Sequence, residues 1–239
     1  MRVIRPFDPW RSPLCTCPPK FTVNPYTGCS HRCLYCYASS YIKDFFKPRL
    51  KNRLLENALR DIGELEEGAV VEMAASSDPF QHLELRYNYT GQLARMLLER
   101  GFKVLFTTKA PNVLLNYRDL LVRHRESIAV AVTVTTLDER ISARLEPGAP
   151  PPGVRLKAIG ELSKLGVKVT LRLDPVIPMV NDDPKAIEAL VREAARLGVV
   201  QVTSSTYKAK PDNFARMARG FPELAQALRE MYYAEGERV

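Results

Sequence analysis

Three cysteines, Cys29, Cys33 and Cys36, stand in the run NPYTGCSHRCLYCYA. The Cys-x3-Cys-x2-Cys spacing puts three soft thiolates on one short loop, a donor set suited to iron–sulfur or zinc. With no fourth cysteine at matching spacing, the triad can hold three irons of a cubane and leave the fourth open to a small molecule. Coordination positions left open serve chemistry, whereas closed sets are structural. The competing reading is a structural zinc site completed by His31, Cys15 or Cys17. His31 lies between two of the ligands and equally suits a donor behind them or a surface residue. Five cysteines in this arrangement do not form the disulfide framework of a secreted domain. They read as metal ligands or redox groups in a reducing interior, which implies a cytoplasmic protein.

The elements that must carry this loop follow from periodicity. Residues 1–20 hold prolines at 6, 9, 13, 18 and 19 and no clear period, predicting an extended arm laid over a domain of residues 21–239. A short strand over 21–26 ends at Gly28, where the cysteine loop begins. Helices are then predicted over 50–62, 85–99, 112–123, 154–165, 184–197 and 221–232. Strands are predicted over 69–75, 103–107, 127–134, 167–173 and 199–203. These strands are short, Val-rich and read as apolar on both faces, the pattern of a parallel sheet buried on both sides. Gly101, Gly166 and Gly198 fall where a helix must stop before a strand. The count is six βα units, compatible with a wide curved sheet or an open doubly wound one.

The other polar residues of interest cluster at predicted strand ends, where α/β folds place their active sites. Ser76, Ser77 and Asp78 follow the second strand, where hydroxyls and a carboxylate can bind an ammonium or ribose; Asp78-Pro79 alternatively forms a strand-ending turn. Lys109 lies just beyond the third strand, placed for a carboxylate, a phosphate or solvent. Thr133 and Thr135 share a strand face, though β-branched residues there also serve packing. Arg144 and Glu146 lie in RLEPGAPPP, where a proline-stiffened loop could hold a guanidinium against a carboxylate. Arg172 and Asp174 flank the fifth strand end, as an ion pair or as ligands. TSSTYKAK at 203–210 gathers hydroxyls, Tyr207, Lys208 and Lys210, a platform for phosphate and a base or an ordinary exposed loop.

The form Cys-x3-Cys-x-aromatic-Cys, with Tyr35 before the last cysteine, resembles the signature of the radical SAM superfamily. The ordered set NPYTGCSHRCLYCYA, AASSDPFQHLE, TTK at 107–109, VTTLD at 134–138, RLEPGAPPP and DPVIPMVND at 174–182 is similar to the spore photoproduct lyase-like branch. The resemblance implies an incomplete (β/α)6 TIM-type barrel, a curved parallel sheet with outer helices. It implies a [4Fe–4S] cluster on Cys29, Cys33 and Cys36 whose open iron chelates S-adenosylmethionine (SAM). It further implies SAM contacts from among Ser76, Ser77, Asp78, Lys109, Thr133, Thr135, Arg144, Glu146 and Arg172. The chemistry implied is reductive SAM cleavage to a 5′-deoxyadenosyl radical, fed by an external electron donor such as ferredoxin or flavodoxin.

Substrate is where the chain departs from that branch. Characterised relatives repair a thymine dimer, and a cysteine near the second strand returns a hydrogen atom. The corresponding stretch here, VEMAASSD, has none. Cys15 and Cys17 are the remaining thiols, and with Tyr207 they complete the catalytic candidates; Tyr26, Tyr35, Tyr37 and Tyr41 are alternative radical relays. A net charge of +8 and a pI near 9.3 favour DNA or RNA as partner, although basic and acidic residues are interspersed. A small-molecule or protein substrate, or a non-catalytic iron–sulfur or zinc protein binding nucleic acid, remain the alternatives. A hydrophobic fraction of 46% and a mean hydropathy of −0.19 are those of a globular domain. No apolar run reaches the ~18 residues of a membrane span, and a monomer is compatible with the sequence.

Overall fold

The computed structural model of the chain describes residues 2–7 and 18–233. At the amino end, β1 (Arg5–Phe7) lies antiparallel to β2 (Lys20–Val23). A small ribbon of β3 (Tyr26–Thr27) and β4 (Arg49–Leu50) brackets the cysteine loop. Helix α1 (Leu54–Ile62) leads into β5 (Val70–Met73), and α2 (Glu84–Tyr87) with α3 (Tyr89–Leu98) leads into β6 (Lys103–Thr108). Next, α4 (Pro111–Leu114) and α5 (Arg118–Arg123) precede β7 (Ile128–Thr133). Helices α6 (Glu139–Leu145) and α7 (Pro152–Lys164) precede β8 (Lys168–Val176), and α8 (Pro184–Arg196) precedes β9 (Gln201–Thr206). The last helices are α9 (Pro211–Gly220) and α10 (Ala225–Tyr232).

The main sheet runs β1-β2-β5-β6-β7-β8-β9, and all its pairings after β1–β2 are parallel. A doubly wound sheet reverses its strand order at a switch point; this one never does. Six parallel strands in chain order make the wall of a barrel left open between its first and last strands. The incomplete barrel is therefore the fold, and the doubly wound alternative falls away.

The two faces of that wall differ, which corrects the expectation that both are apolar. One face presents Val71, Met73, Val104, Phe106, Val130, Val132, Val169 and Leu171 to Leu93, Leu97, Ile159 and Leu162 of the surrounding helices. Burying each such aliphatic side chain contributes about 1.5–3 kcal/mol, so these rows decide which face turns outward to the helices. The register then places Thr107, Ala131 and Thr170 side by side on the other face, and likewise Thr133, Arg172 and Thr203. Glu72 shares that face, accepting from Thr107 Oγ1 at 2.9 Å and lying 3.6 Å from Lys20 Nζ. Ala131 and the threonines disguise the alternation in the sequence, because Ala is apolar and Thr is β-branched like the valines beside it.

Two of the predicted helices are interrupted, and two helices stand outside the predicted spans. Asn88, in the left-handed region (φ 52°), separates α2 from α3. The buried Glu84 carboxylate accepts from Thr90 N and Gly91 N at 2.9 Å each, capping α3 in place of an ordinary N-cap residue. A 3-10 turn at Leu115–Tyr117 divides the helix expected over 112–123. The two helices outside the predicted spans are α6 and α9; Asp138 caps α6 by accepting from Arg140 N and Ile141 N. The described part of the amino-terminal arm is docked as well as extended. Val3 N and Ile4 N donate to Asp61 Oδ2, and Ile4 is wholly buried. Cys15 and Cys17 lie outside the described residues.

Candidate active site

The cysteine loop follows β3 and is held from several sides. Gly28 has φ 82°, and a Cβ there would meet Phe45 O at 2.4 Å, so only glycine lets the chain turn so close to its neighbour. Cys29 N donates to Phe45 O (2.8 Å), while Gln81 bridges the next residue by accepting from Ser30 N and donating to Gly28 O, each at 2.9 Å. From the α6–α7 connection, Leu145 O accepts from Leu34 N, and Gly148 N donates to His31 O, both at 2.9 Å. From α9, Arg216 donates to Leu34 O (3.2 Å) and Cys36 O (3.1 Å), and Asn213 Nδ2 donates to Tyr35 O (3.3 Å). Gln81, Asn213 and Arg216 were missed in the sequence, although Gln81 lies inside the motif AASSDPFQHLE.

Cys29 and Cys33 are buried and Cys36 is half-buried. Burial pushes the Cys29 thiol up to about 12, with the Asp78 carboxylate adding to it. Burial likewise raises Cys33 and Cys36, and on Cys33 both other cysteines push in the same direction. Lys109 opposes the rise at Cys33, and at Cys36 the backbone N–H groups of Ser39 and Ala38 do so together with Lys109 and Arg216. Burial lowers Lys109 itself, but Cys33, Glu146 and Asp78 outweigh that and hold its ammonium above the usual lysine range. Its Nζ lies 5.5 Å from the Tyr35 ring centroid.

The expected rim residues sort into three environments. Asp78 is an internal hub, accepting from Phe80 N (2.9 Å), Thr108 Oγ1 (2.8 Å) and Lys109 N (2.6 Å) and facing His31 Nδ1 at 3.4 Å. Burial pushes the His31 pKa down, so its imidazole is neutral between the cysteines. Ser77 is buried and donates to Tyr26 O, while half-buried Ser76 donates to Asn24 Oδ1. Thr133 and Thr135 are buried, and Thr135 Oγ1 has no hydrogen-bond partner among the described residues.

Glu146 is not a free rim carboxylate, contrary to the reading of RLEPGAPPP as an anion clamp. It accepts from Tyr35 OH and pairs with Arg155 at 2.5 Å, and both charged side chains are essentially inaccessible. Arg144 is also engaged elsewhere: it donates to Gly220 O (2.6 Å), pairs with Glu223 (2.8 Å) and stacks over Phe221 at 4.0 Å. Tyr207 is buried rather than on an exposed loop, donating to Asn213 Oδ1 at 2.5 Å and packing behind the cysteine loop with Cys33 and Tyr35. Arg172 pairs with Asp174 at the β8 end, where roughly a third and a quarter of these side chains remain exposed. Ser205 donates to Asp174 (2.6 Å), and Lys208 Nζ donates to Ser205 Oγ (2.8 Å).

Among the described residues, no three His, Cys, Asp or Glu side chains are already drawn together as a metal site. The fit of an iron–sulfur cluster therefore rests on the donor set. Three neighbouring thiols, a nearby ammonium and no ligating carboxylate make a soft, charge-compensated site of the kind such clusters take. The buried Thr135 hydroxyl, just past the carboxyl end of β7 and without a partner among the described residues, suits a polar ligand.

A barrel wall with a three-thiol loop at its carboxyl edge defines the class, and the comparisons define the family. Residues 23–191 match the model of the radical SAM superfamily, and the chain belongs to it. Its relatives include an uncharacterized protein of Acidianus two-tailed virus, 29% identical over 73% of this chain and 63% of that one. The radical SAM Nalpha-GlyT isomerase of Pseudomonas phage M6 is 26% identical over 87% of this chain and 45% of its own length. The chain thus spans only part of either relative. Among solved structures, a spore photoproduct lyase mutant with bound AdoMet and dinucleoside spore photoproduct superposes with a TM-score of 0.65 at 15% identity, over 90% of this chain and 74% of that one. Streptococcus suis SuiB bound to S-adenosylmethionine gives 0.59 at 15% identity, over 88% and 47%.

Proposed function

We propose that this chain is a radical SAM enzyme acting on nucleic acid, in lesion repair or base modification. The observation that carries the reading is the buried three-thiol loop with Lys109 beside it, at the mouth of a barrel whose inner face is polar. Cys29, Cys33 and Cys36 are the ligands for a [4Fe–4S] cluster. Bound together and reduced by a ferredoxin- or flavodoxin-type donor, cluster and SAM supply a 5′-deoxyadenosyl radical for hydrogen abstraction.

The protein's own residues provide the rest. Lys109 opposes the rise that burial gives Cys33 and Cys36 and so lowers the cost of ionising them when a metal group binds. Ser76 and Thr135 offer hydroxyls toward the methionyl and ribose groups of SAM, Thr135 through an oxygen that has no other partner among the described residues. The outer helices cover one face of the wall and leave the other, polar face for ligand. Arg172 and Lys208 stand at the open edge, where phosphate groups of a nucleic acid can approach. The net charge of +8 is in keeping with such a partner, as is a structural neighbour holding a dinucleoside. The phage relative named as a radical SAM isomerase supports the chemistry.

Cys15 and Cys17 remain proposed hydrogen donors to the product radical. The segment that carries them is anchored at Phe7 and Lys20, which pair at the amino end of β2, away from the cysteine loop. Anaerobic reconstitution with iron and sulfide tests the radical SAM chemistry on which the reading stands. About four irons per chain and 5′-deoxyadenosine from SAM under strong reductant are expected. One zinc and no iron, or a full cluster that never cleaves SAM, would overturn it and leave a non-catalytic metal protein.

A further inference from the structure

The proline-rich connection between α6 and α7 touches the cysteine loop more closely than a passing segment would. Glu146, at the end of α6, accepts from the Tyr35 hydroxyl, and Tyr35 stands between Cys33 and Cys36. Arg155, inside α7, holds Glu146 at 2.5 Å and donates to Pro150 O (2.6 Å) and Thr133 O (3.0 Å). It is wholly buried, and its NH2 and Glu146 Oε2 have no other hydrogen-bonding partner among the described residues. Gly148 presses against the loop from the same side, where an added Cβ would meet Ser30 O at 2.2 Å. A buried ion pair that costs desolvation is a poor way to gain stability, but it is an effective way to fix a geometry.

We propose that Glu146 and Arg155 are positioning residues: through the Tyr35 hydroxyl they set the spacing of Cys33 and Cys36. On this proposal the chain Thr133–Arg155–Glu146–Tyr35 joins the β7 end to the second half of the cysteine loop. Cys29 is held separately, by Phe45 and by Gln81 acting on its neighbours Gly28 and Ser30. The inference rests on the radical SAM reading only for its cluster readout; the loop geometry can be tested without iron.

The experiment uses the full chain and the variants Tyr35→Phe and Glu146→Gln. In iron-free protein, iodoacetamide alkylation of each cysteine is followed by mass spectrometry, with circular dichroism as the check on folding. Tyr35→Phe removes one hydroxyl and keeps the ring, so it decides the matter even if Glu146→Gln does not fold. It is expected to speed alkylation of Cys33 and Cys36 by about tenfold and leave Cys29 unchanged, because only their half of the loop gains local opening. In reconstituted protein the cluster's midpoint potential is expected to shift, which a purely structural role elsewhere would not cause. Unchanged alkylation of Cys33 and Cys36, or an equal rise at all three cysteines, would overturn the proposal, as would an unshifted potential. A protein that binds zinc alone would sink the radical SAM reading and still leave the alkylation pattern to decide this one.

Discussion

The rim of the barrel has two halves built on opposite plans. Between β5 and β7 the polar groups are buried and bound to one another: Asp78 with Thr108, Lys109 N and His31, and Glu146 with Tyr35 and Arg155. Between β8 and β9 the groups Arg172, Asp174, Ser205 and Lys208 are also linked, but they stay in reach of solvent. Charges in a desolvated network have one geometry, because every alternative leaves a group unpaired. Charges at a wet edge can exchange a protein partner for a ligand at little cost. The closed half is the kind of surface that holds an invariant cofactor, and the open half the kind that meets a substrate.

This contrast is tested most severely at the thiols. Cys33→Ala is expected to abolish 5′-deoxyadenosine formation and lower bound iron, while Arg172→Ala leaves iron unchanged; iron analysis and chromatography of reaction products check both. Next comes stability. Arg155→Ala strands the Glu146 carboxylate in the interior and should cost about 3–5 kcal/mol by urea unfolding. Arg172→Ala should cost under about 1 kcal/mol, since its pair is partly solvated. Equal losses at the two arginines would remove the distinction between the halves. A weaker effect is expected in binding. If the open half meets phosphates, Arg172→Ala and Lys208→Ala should each weaken oligonucleotide binding and reduce its salt dependence, with SAM affinity unchanged.

The closed half is the less legible in the sequence, and the reasons are physical. The triad and the six βα units stand in local patterns, spacing in one and periodicity in the other, so both can be read directly. Arg144 and Glu146 read as one clamp, yet residues two apart near a helix end project to different sides. One turns outward to Glu223 and the other inward to Arg155. Arg155 gives only a faint signal, an arginine within a helix, because its partners lie on a loop, a strand end and another helix. Tyr207 looks exposed because its partner Asn213 lies on α9, a short helix whose apolar face is only Phe214 and Met217 and whose packing over the 203–210 segment is a contact between elements. Pairings across elements are invisible to periodicity, and the closed half consists of such pairings.

Acid separates the halves by the smallest margin. Burial raises the Asp174 carboxyl, but Arg172, Ser205 and Lys208 outweigh it and hold it below the usual aspartate range. Because the folded carboxyl ionises at lower pH than the ~3.9 of the unfolded chain, its contribution is complete above that value. It is then lost as pH falls through the folded pKa. Asp174→Asn should therefore flatten the acid limb of the stability curve below about pH 4 and cost under about 1 kcal/mol at neutral pH. Urea unfolding at a series of pH values reads both quantities. Glu146 is depressed for an analogous reason, burial raising it and Arg155 and Lys109 prevailing, but there protonation would also leave Arg155 buried without a counter-charge. Its acid limb should be the steeper of the two. An Asp174→Asn effect equal to that of Glu146→Gln would mean that the wet edge holds its charges no less rigidly than the buried network does.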